Sequence, residues 1–156
     1  MDAAAKTQIT DILARGQDLT LATIREDGFP QAVTLSYVAH GLTIYFGTDA
    51  NSQKARNMAR CPKVSVTVNL PYHDWKEIEG VSLAGIAERI TDPSEIARAA
   101  RLMLAKFPQT VDFMEPSMPP PALFRVTPVV VSVLDYAKGF GHTDLVAVQP
   151  QEAAAA

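Results

Sequence analysis

Apolar and polar residues alternate along several short stretches of this chain, which is the pattern of β-strands that bury one face. The sequence predicts six strands, over residues 19–24, 31–38, 42–47, 63–69, 80–91 and 122–135. The first two flank an Asp27-Gly28 pair that favours a tight turn, so they should form an antiparallel hairpin. We also expect a bulge at Gly85 and a bend near Pro128, because glycine and proline interrupt regular strands.

Helical spacing of apolar residues occurs in three places. A first helix is predicted over residues 3–14, ending at Gly16, and a second over residues 51–60, ending before Pro62. A third begins at Asp92-Pro93, and we expect it to lie across a barrel opening. Its predicted buried side carries Ile96, Ala99, Ala100, Met103 and Phe107. Together these elements predict a mainly β (β+α) protein, an antiparallel β-barrel of six or more strands with two or three flanking helices.

The strands predicted at 31–38, 42–47 and 63–69 share a second feature, because the face opposite their apolar residues carries small or polar side chains. One face of each strand can fill the barrel interior. The other face is neither charged nor bulky, and it suits contact with a ligand or with another subunit.

Composition narrows the class of protein. A chain of 156 residues with 47% hydrophobic residues fits one domain, predicted at 1–148, followed by a disordered tail at 149–156. Its net charge of −3 and the lack of a basic cluster argue against nucleic acid as a partner. A single cysteine, Cys61, and apolar runs too short for a membrane span predict a cytoplasmic protein without a membrane partner.

Common nucleotide and metal motifs are absent from the sequence. It contains no GxGxxG, no GxxxxGK[ST], no HExxH and no cysteine pair, so no metal site is predicted. His40, His73 and His142 are scattered beside turns. Surface or structural roles are the favoured interpretation for them, and metal or haem ligation is the alternative.

The most informative segment is 42–57, where an apolar strand leads into hydroxyl groups, an amide and cations at a helix start. Thr48 and Ser52 can donate hydroxyl hydrogens, Lys54 and Arg56 add positive charge, and free N–H groups at a helix N-terminus favour an anion. This arrangement predicts a phosphate site. Equally, a residue such as Ser52 can be an ordinary helix cap and the two cations a solvated helix face.

Five segments in order, LATIREDGFP at 21–30, IYFGT at 44–48, SQKARNM at 52–58, PKVSV at 62–66 and GIAE at 85–88, resemble the pyridoxamine-5′-phosphate-oxidase-like FMN-binding family. The resemblance covers roughly residues 13–135. It implies a split β-barrel, and a homodimer that binds two flavins at its interface with each flavin touched by both chains. Such an assembly would explain the small, polar second faces of the strands.

The resemblance also implies a set of cofactor-binding residues. Residues 32–35 on the second strand would run beside the flavin ring, residues 46–48 would line the ring and ribityl chain, and residues 52–54 would form the phosphate clamp. Trp75 lies where the second subunit of such dimers reaches towards the flavin, and it either stacks on the ring or serves in packing. These residues are Ala32, Val33, Thr34, Leu35, Phe46, Gly47, Thr48, Ser52, Gln53, Lys54 and Trp75. Gln53 stands where the family has an arginine, which shifts the predicted phosphate contacts towards Lys54.

The sequence departs from the true oxidase, because the Arg-x-His element that takes the pyridoxal substrate is missing near its C-terminus. No catalytic residue is therefore assigned, and the loop at 136–142 is either a flexible cover or a plain turn. The favoured hypothesis is an FMN-dependent oxidoreductase that acts on a small molecule. The alternatives are an F420-dependent reductase, whose longer anionic tail needs a basic groove, and a non-catalytic flavin or haem protein with His73, His142 or Tyr136 as axial ligand.

Overall fold

The computed structural model describes residues 1–113, 119–149 and 152. Its helices and strands, in chain order, are α1 (Ala3–Arg15), β1 (Asp18–Ile24), β2 (Pro30–Ser36), β3 (Val38–His40), β4 (Thr43–Thr48), α2 (Gln53–Arg60), β5 (Lys63–Asn69), β6 (Glu79–Arg89), α3 (Pro93–Lys106), β7 (Ala122–Asp135) and β8 (Thr143–Ala147). Short 3-10 turns occupy Trp75–Glu77, Pro108–Phe113 and Tyr136–Lys138.

The strands form one eight-stranded antiparallel sheet in the order β2-β1-β5-β6-β7-β4-β3, with β8 added beside β7. The two ends of this order, β2 and β3, are separated in the chain by Tyr37 alone. The sheet therefore curls until its ends meet at this bend. Because β2 pairs with β1, and β4 pairs with β3 and β7, a gap remains between β2 and β4. The predicted split β-barrel is confirmed.

The main core lies inside the curled sheet and is closed by α1. Ile9, Ile12 and Leu13 of α1 are fully buried against inward side chains of the strands. Tyr37 is also fully buried, and its hydroxyl donates to the carbonyl oxygen of Leu13 at 2.7 Å. Gly16 ends the helix, as the sequence predicts.

The third helix, α3, packs outside the main core. Tyr45 points to the opposite side of β4 from its neighbours Ile44 and Phe46, and there it forms a second cluster with Ala99 and other residues of α3. The main core is closed by α1, whereas α3 packs on this second cluster and borders the gap between β2 and β4. Ile96 of α3 is 36% exposed, so its predicted burial is wrong.

A polar contact fixes α3 in this position. Glu95 is buried below α3, where it accepts hydrogen bonds from Arg125 Nη1 at 2.8 Å and from the Tyr45 hydroxyl at 3.2 Å. The buried carboxylate has a cation and a hydroxyl as partners, which offsets its loss of hydration. The buried side of α3 is therefore partly ionic, and apolar spacing alone does not reveal it.

Two strand predictions differ from the structure. The run at 31–38 is broken at Tyr37 into β2 and β3, and β8 was not predicted. The bulge at Gly85 is confirmed, because the pairing of β6 with β7 shifts between Ala84 and Gly85. A Cβ on Gly85 would lie 2.7 Å from Val126 Cγ1, so this position has no room for a side chain.

The predicted tail at 149–156 lies mostly outside the described residues, as does most of the proline-rich segment that precedes β7. Among the helices of the described part of the chain, none combines the length and apolarity needed to cross a membrane.

Candidate functional site

The corner between β4 and α2 is held together by hydroxyl groups. Ser52 is the N-cap of α2, and its Oγ accepts a hydrogen bond from the amide of Ala55 at 3.3 Å. The same Oγ lies 3.3 Å from Thr48 Oγ1 at the end of β4. Asp49 braces the turn, because its Oδ1 accepts from the amide of Asn51 at 2.8 Å. The capping role of Ser52 is therefore present, and its contact with a phosphate stays a prediction.

The cations of α2 differ in what they already contact. Arg56 donates to the carbonyl oxygen of Asn51 and, at 3.0 Å, to Gln53 Oε1. Arg60 donates to the main-chain carbonyl oxygens of Ile24 and Arg25 at 2.8 and 2.6 Å. The guanidinium groups of both residues are thus already engaged in hydrogen bonds within the protein. Lys54 is half-buried at the second position of α2, close to the helix N-terminus.

A buried amide links α2 to the first two strands. Asn57 is only 2% exposed, and its Nδ2 donates to Thr23 Oγ1 at 2.9 Å and to Gln31 Oε1 at 3.2 Å. Its Oδ1 accepts from Gln53 Nε2 at 2.8 Å. Asn57 is not among the site residues that the sequence predicts, although its place beside the buried Met58 on an amphipathic helix indicates a buried polar role.

The edge of β2 borders the gap in the barrel. Ala32 and Thr34 are exposed, whereas Val33 and Leu35 are half-buried and pack against the main core. In the described sheet β2 pairs with β1 alone, so the main-chain groups along its other edge are free of strand partners. Such an edge offers both donors and acceptors to a planar polar molecule.

A groove of about 470 Å³ lies at this gap, and we call it the split groove. It brings together three predicted site residues, Leu35 of β2 and Gly47 and Thr48 of β4. The other wall comes from α3, the 3-10 turn after it and the start of β7. The lining residues are Leu35, Ser36, Gly47, Thr48, Asp49, Met103, Phe107, Gln109, Thr110, Phe113, Pro121 and Leu123.

Phe46 has no exposed side chain at the split groove. It is fully buried and stacks on Phe124 in the main core, with ring centroids 5.8 Å apart. A contact between Phe46 and a ligand would therefore involve its main chain. Gln53 lines a separate shallow groove with the β1–β2 turn, formed by Arg25, Glu26 and Asp27.

Trp75 lies at a different groove, of about 680 Å³, between the turns Trp75–Glu77 and Tyr136–Lys138. Its indole is 62% exposed and stacks on Phe140 at 5.8 Å, and Tyr136 meets the edge of Phe140 at 5.3 Å. Within one protomer the structure does not bring Trp75 to the split groove, since the two grooves share no lining residue. A contact with a partner's flavin stays a prediction.

The loop at 136–142 is tied to its neighbours by charges. Lys138 Nζ lies 3.0 Å from Asp144 Oδ2, and His142 Nε2 lies 3.1 Å from the same oxygen. The hydrogen bond from Lys138 lowers the pKa of Asp144, and the neighbouring His142 imidazole lowers it further. Among the described residues, no three His, Cys, Asp or Glu side chains form a group suited to a metal ion.

The middle of the outer side of four neighbouring strands carries small, uncharged side chains, with the charged residues Asp18 and Lys63 at its margins, and we call this middle part the small-residue face. Its members are exposed or half-buried: Thr20, Ala22, Ala32, Thr34, Ser36, Ser65, Thr67, Ser82 and Ala84. The strand register places them side by side, because Ala22 pairs with both Ala32 and Ser65, and Ser65 pairs with Ala84. Two predicted site residues, Ala32 and Thr34, belong to this face.

The curled sheet with its gap, and the capped helix that begins beside that gap, define a split-barrel protein. Residues 5–135 match the sequence model of the pyridoxamine 5′-phosphate oxidase family. The chain therefore belongs to this family, and the resemblance seen in the sequence is confirmed. No curated protein matches the chain in sequence.

Solved structures share this fold. A haem-binding protein from Mycobacterium smegmatis is 24% identical with a TM-score of 0.77, and the match covers 94% of this chain but 59% of that one. A conserved hypothetical protein from Mycobacterium tuberculosis is 25% identical with a TM-score of 0.72, covering 97% and 94% of the two chains. An FAD-binding protein from Mesorhizobium loti is 23% identical with a TM-score of 0.66, covering 85% and 94%.

Proposed function

We propose that this protein is a homodimeric FMN-binding protein that acts as an oxidoreductase on a small molecule. The observation that carries the proposal is the meeting of β2, β4 and the start of α2 around one gap. The free edge of β2 suits a flavin ring, and the hydroxyl pair of Thr48 and Ser52 at the N-terminus of α2, with Lys54 in the first turn of that helix, offers the kinds of partner that a flavin phosphate needs.

In this proposal the phosphate is held by Thr48, Ser52, Lys54 and the N-terminus of α2. The main chain of 32–35 and 46–48 runs beside the ring and the ribityl chain. Bound FMN supplies the hydride chemistry, and the protein positions the flavin and excludes water. The buried Asn57 keeps α2 in place, so the phosphate partners are fixed before the cofactor arrives.

FMN is favoured over F420 by the contacts of the cations on α2. The longer anionic tail of F420 calls for an extended basic groove. Arg56 and Arg60 are both engaged with main-chain carbonyl oxygens, which leaves Lys54 as the phosphate partner that the proposal uses on α2. A single ammonium group beside a helix N-terminus suits one phosphate group.

Haem is the second candidate ligand, because a protein of similar fold from Mycobacterium smegmatis binds haem. Tyr136 lines the larger groove near Trp75 and is the candidate axial ligand there, with His73 and His142 as further candidates. Asp144 lies 3.1 Å from His142 Nε2 and would compete with an iron atom for it. The residues at the split groove support flavin binding more directly than the residues at the larger groove support haem binding.

The small-residue face supports the dimer. Nine neighbouring uncharged side chains allow close approach of a second sheet, and charged residues are typically depleted at the centre of such interfaces. Ala84→Arg places a charge on this face away from the split groove, and we expect it to convert the dimer into monomer in sedimentation equilibrium. Ala97→Arg, on the exposed side of α3, is the matched control and should remain dimeric. A wild-type protein that sediments as a monomer would contradict the proposed dimer.

The cofactor is tested by titrating the apoprotein with FMN. Lys54→Ala removes a charge-assisted phosphate contact, and we expect FMN affinity to fall by about 1.5–3 kcal/mol, or roughly 10- to 150-fold. Lys63→Ala removes the same charge at the exposed start of β5, beyond the far end of α2, and should leave the affinity within about twofold. Equal losses in both variants would refute Lys54 as a phosphate partner.

A further inference from the structure

The split groove has a chemical character that the proposed cofactor does not explain. Its far wall is apolar and is formed by Met103, Phe107, Phe113, Pro121 and Leu123. Phe113, in the turn after α3, is 77% exposed, and it presents a bare aromatic ring to whatever enters. An exposed aromatic side chain at the rim of an apolar groove indicates a binding surface.

The charge of the split groove also indicates which ligands it suits. Among its described lining residues, Asp49 alone is charged, and the remaining polar residues are neutral. An anion placed against the apolar wall, away from the N-terminus of α2 where the proposed flavin phosphate lies, would lose hydration and would meet no cation. A phosphate ester or carboxylate is therefore poorly suited to this wall, whereas an uncharged apolar molecule loses little on entering.

We infer that the split groove binds the substrate beside the flavin, and that this substrate is a small, uncharged, largely apolar molecule. The inference rests on the proposed function, because a groove next to β2 and β4 is a substrate site only when a flavin lies there. In this arrangement the flavin lies on the side of the groove formed by β2 and β4, and the substrate lies against the apolar wall opposite. The apolar wall favours ligands with apolar surface. Because the described lining residues include no cation, anionic analogues of the same shape should bind more weakly.

Three naphthalene compounds of matched shape test this inference on the FMN-loaded protein. They are 1-naphthalenemethanol, which is neutral, 1-naphthylmethylamine, which is a cation at pH 7, and 1-naphthoate, which is an anion. Binding is measured by titration, and the site is identified from the methyl resonance of Met103, assigned with the variant Met103→Leu. We expect the neutral compound to shift this resonance and to bind at least tenfold more tightly than 1-naphthoate.

Two variants distinguish the groove from unspecific binding. Phe113→Ala removes an exposed ring, and we expect the neutral compound to bind about three- to tenfold more weakly. Val111→Ala changes another exposed residue of the same turn that does not line the groove, and it should have no effect. Asp49→Asn should improve 1-naphthoate binding about two- to fivefold and leave the neutral compound unchanged.

Flavin fluorescence in the same samples separates this inference from the proposed function. If FMN binds but either charged compound equals or exceeds the neutral compound in affinity, the inference is overturned and the flavoprotein proposal stands. If FMN binds and Phe113→Ala behaves like Val111→Ala, the groove is not the site and the inference is again overturned. If FMN does not bind at all, both the proposed function and the substrate role of the groove fall.

Discussion

Asn57 offers the sharpest test of how the candidate site is built. Its side chain is 2% exposed and makes three hydrogen bonds, to Thr23, Gln31 and Gln53, that join α2 to β1 and β2. Replacing it with alanine removes all three and leaves the buried hydroxyl of Thr23 without its amide donor. At about 1 kcal/mol for each bond, with an added penalty for the buried Thr23, Asn57→Ala should cost roughly 2–4 kcal/mol.

Urea unfolding of the apoprotein measures this cost, and a double-mutant cycle shows its origin. Thr23→Val removes the hydroxyl with little change of shape, so the double variant should cost about 0.5–1.5 kcal/mol less than the sum of the single ones. Asn69→Ala, at an exposed asparagine, is the control and should stay within about 0.5 kcal/mol of wild type. Additive effects of the two buried changes, or a cost of Asn57→Ala equal to the control, would refute the reasoning.

Two further predictions concern charge. Gln53→Arg introduces the cation that the family resemblance implies at the proposed phosphate clamp, and FMN titration should show about three- to tenfold tighter binding, whereas unchanged or weaker binding would contradict the clamp assignment. Burial raises the pKa of the Tyr37 phenol well above its ordinary value of 10, so the folded protein keeps this proton at a pH where the unfolded chain loses it. The free energy of unfolding should therefore fall as pH rises above about 10, and Tyr37→Phe should lack this part of the decline in urea unfolding at pH 9 and 11. Parallel declines in the two proteins would contradict it.

Local patterns predicted most of the strands. The alternation in Lys63–Asn69 and the turn at Asp27-Gly28 set the register of β5 and of the β1–β2 hairpin, because burial of one face and turn geometry are local properties. The strand β8 escaped prediction because its largest apolar residue, Leu145, is 78% exposed and the strand has no fully buried face. The break at Tyr37 was hidden because Tyr37 and Val38 are both buried, each in a different cluster.

The candidate site likewise has features that local sequence patterns predict and features that they do not. Thr48 and Ser52 are four residues apart, so their meeting at the start of α2 follows from the strand-to-helix pattern. Asn57 reaches Thr23 across 34 positions of the chain, and no local pattern contains that contact. The apolar wall of the split groove likewise joins β4 to residues more than 50 positions later, such as Met103 and Phe113. Site features that depend on contacts across the folded sheet could therefore not be predicted from local sequence patterns.

The proposed flavin site is tested by the absorption spectrum of the purified protein from 300 to 700 nm, with identification of the released cofactor by mass. We expect the two bands of an oxidised flavin and release of FMN on heating. A single band near 420 nm with release of F420 would contradict the choice of cofactor, and a Soret band with released haem would move the ligand away from the split groove. A colourless protein that leaves added FMN unbound would contradict the flavin site itself.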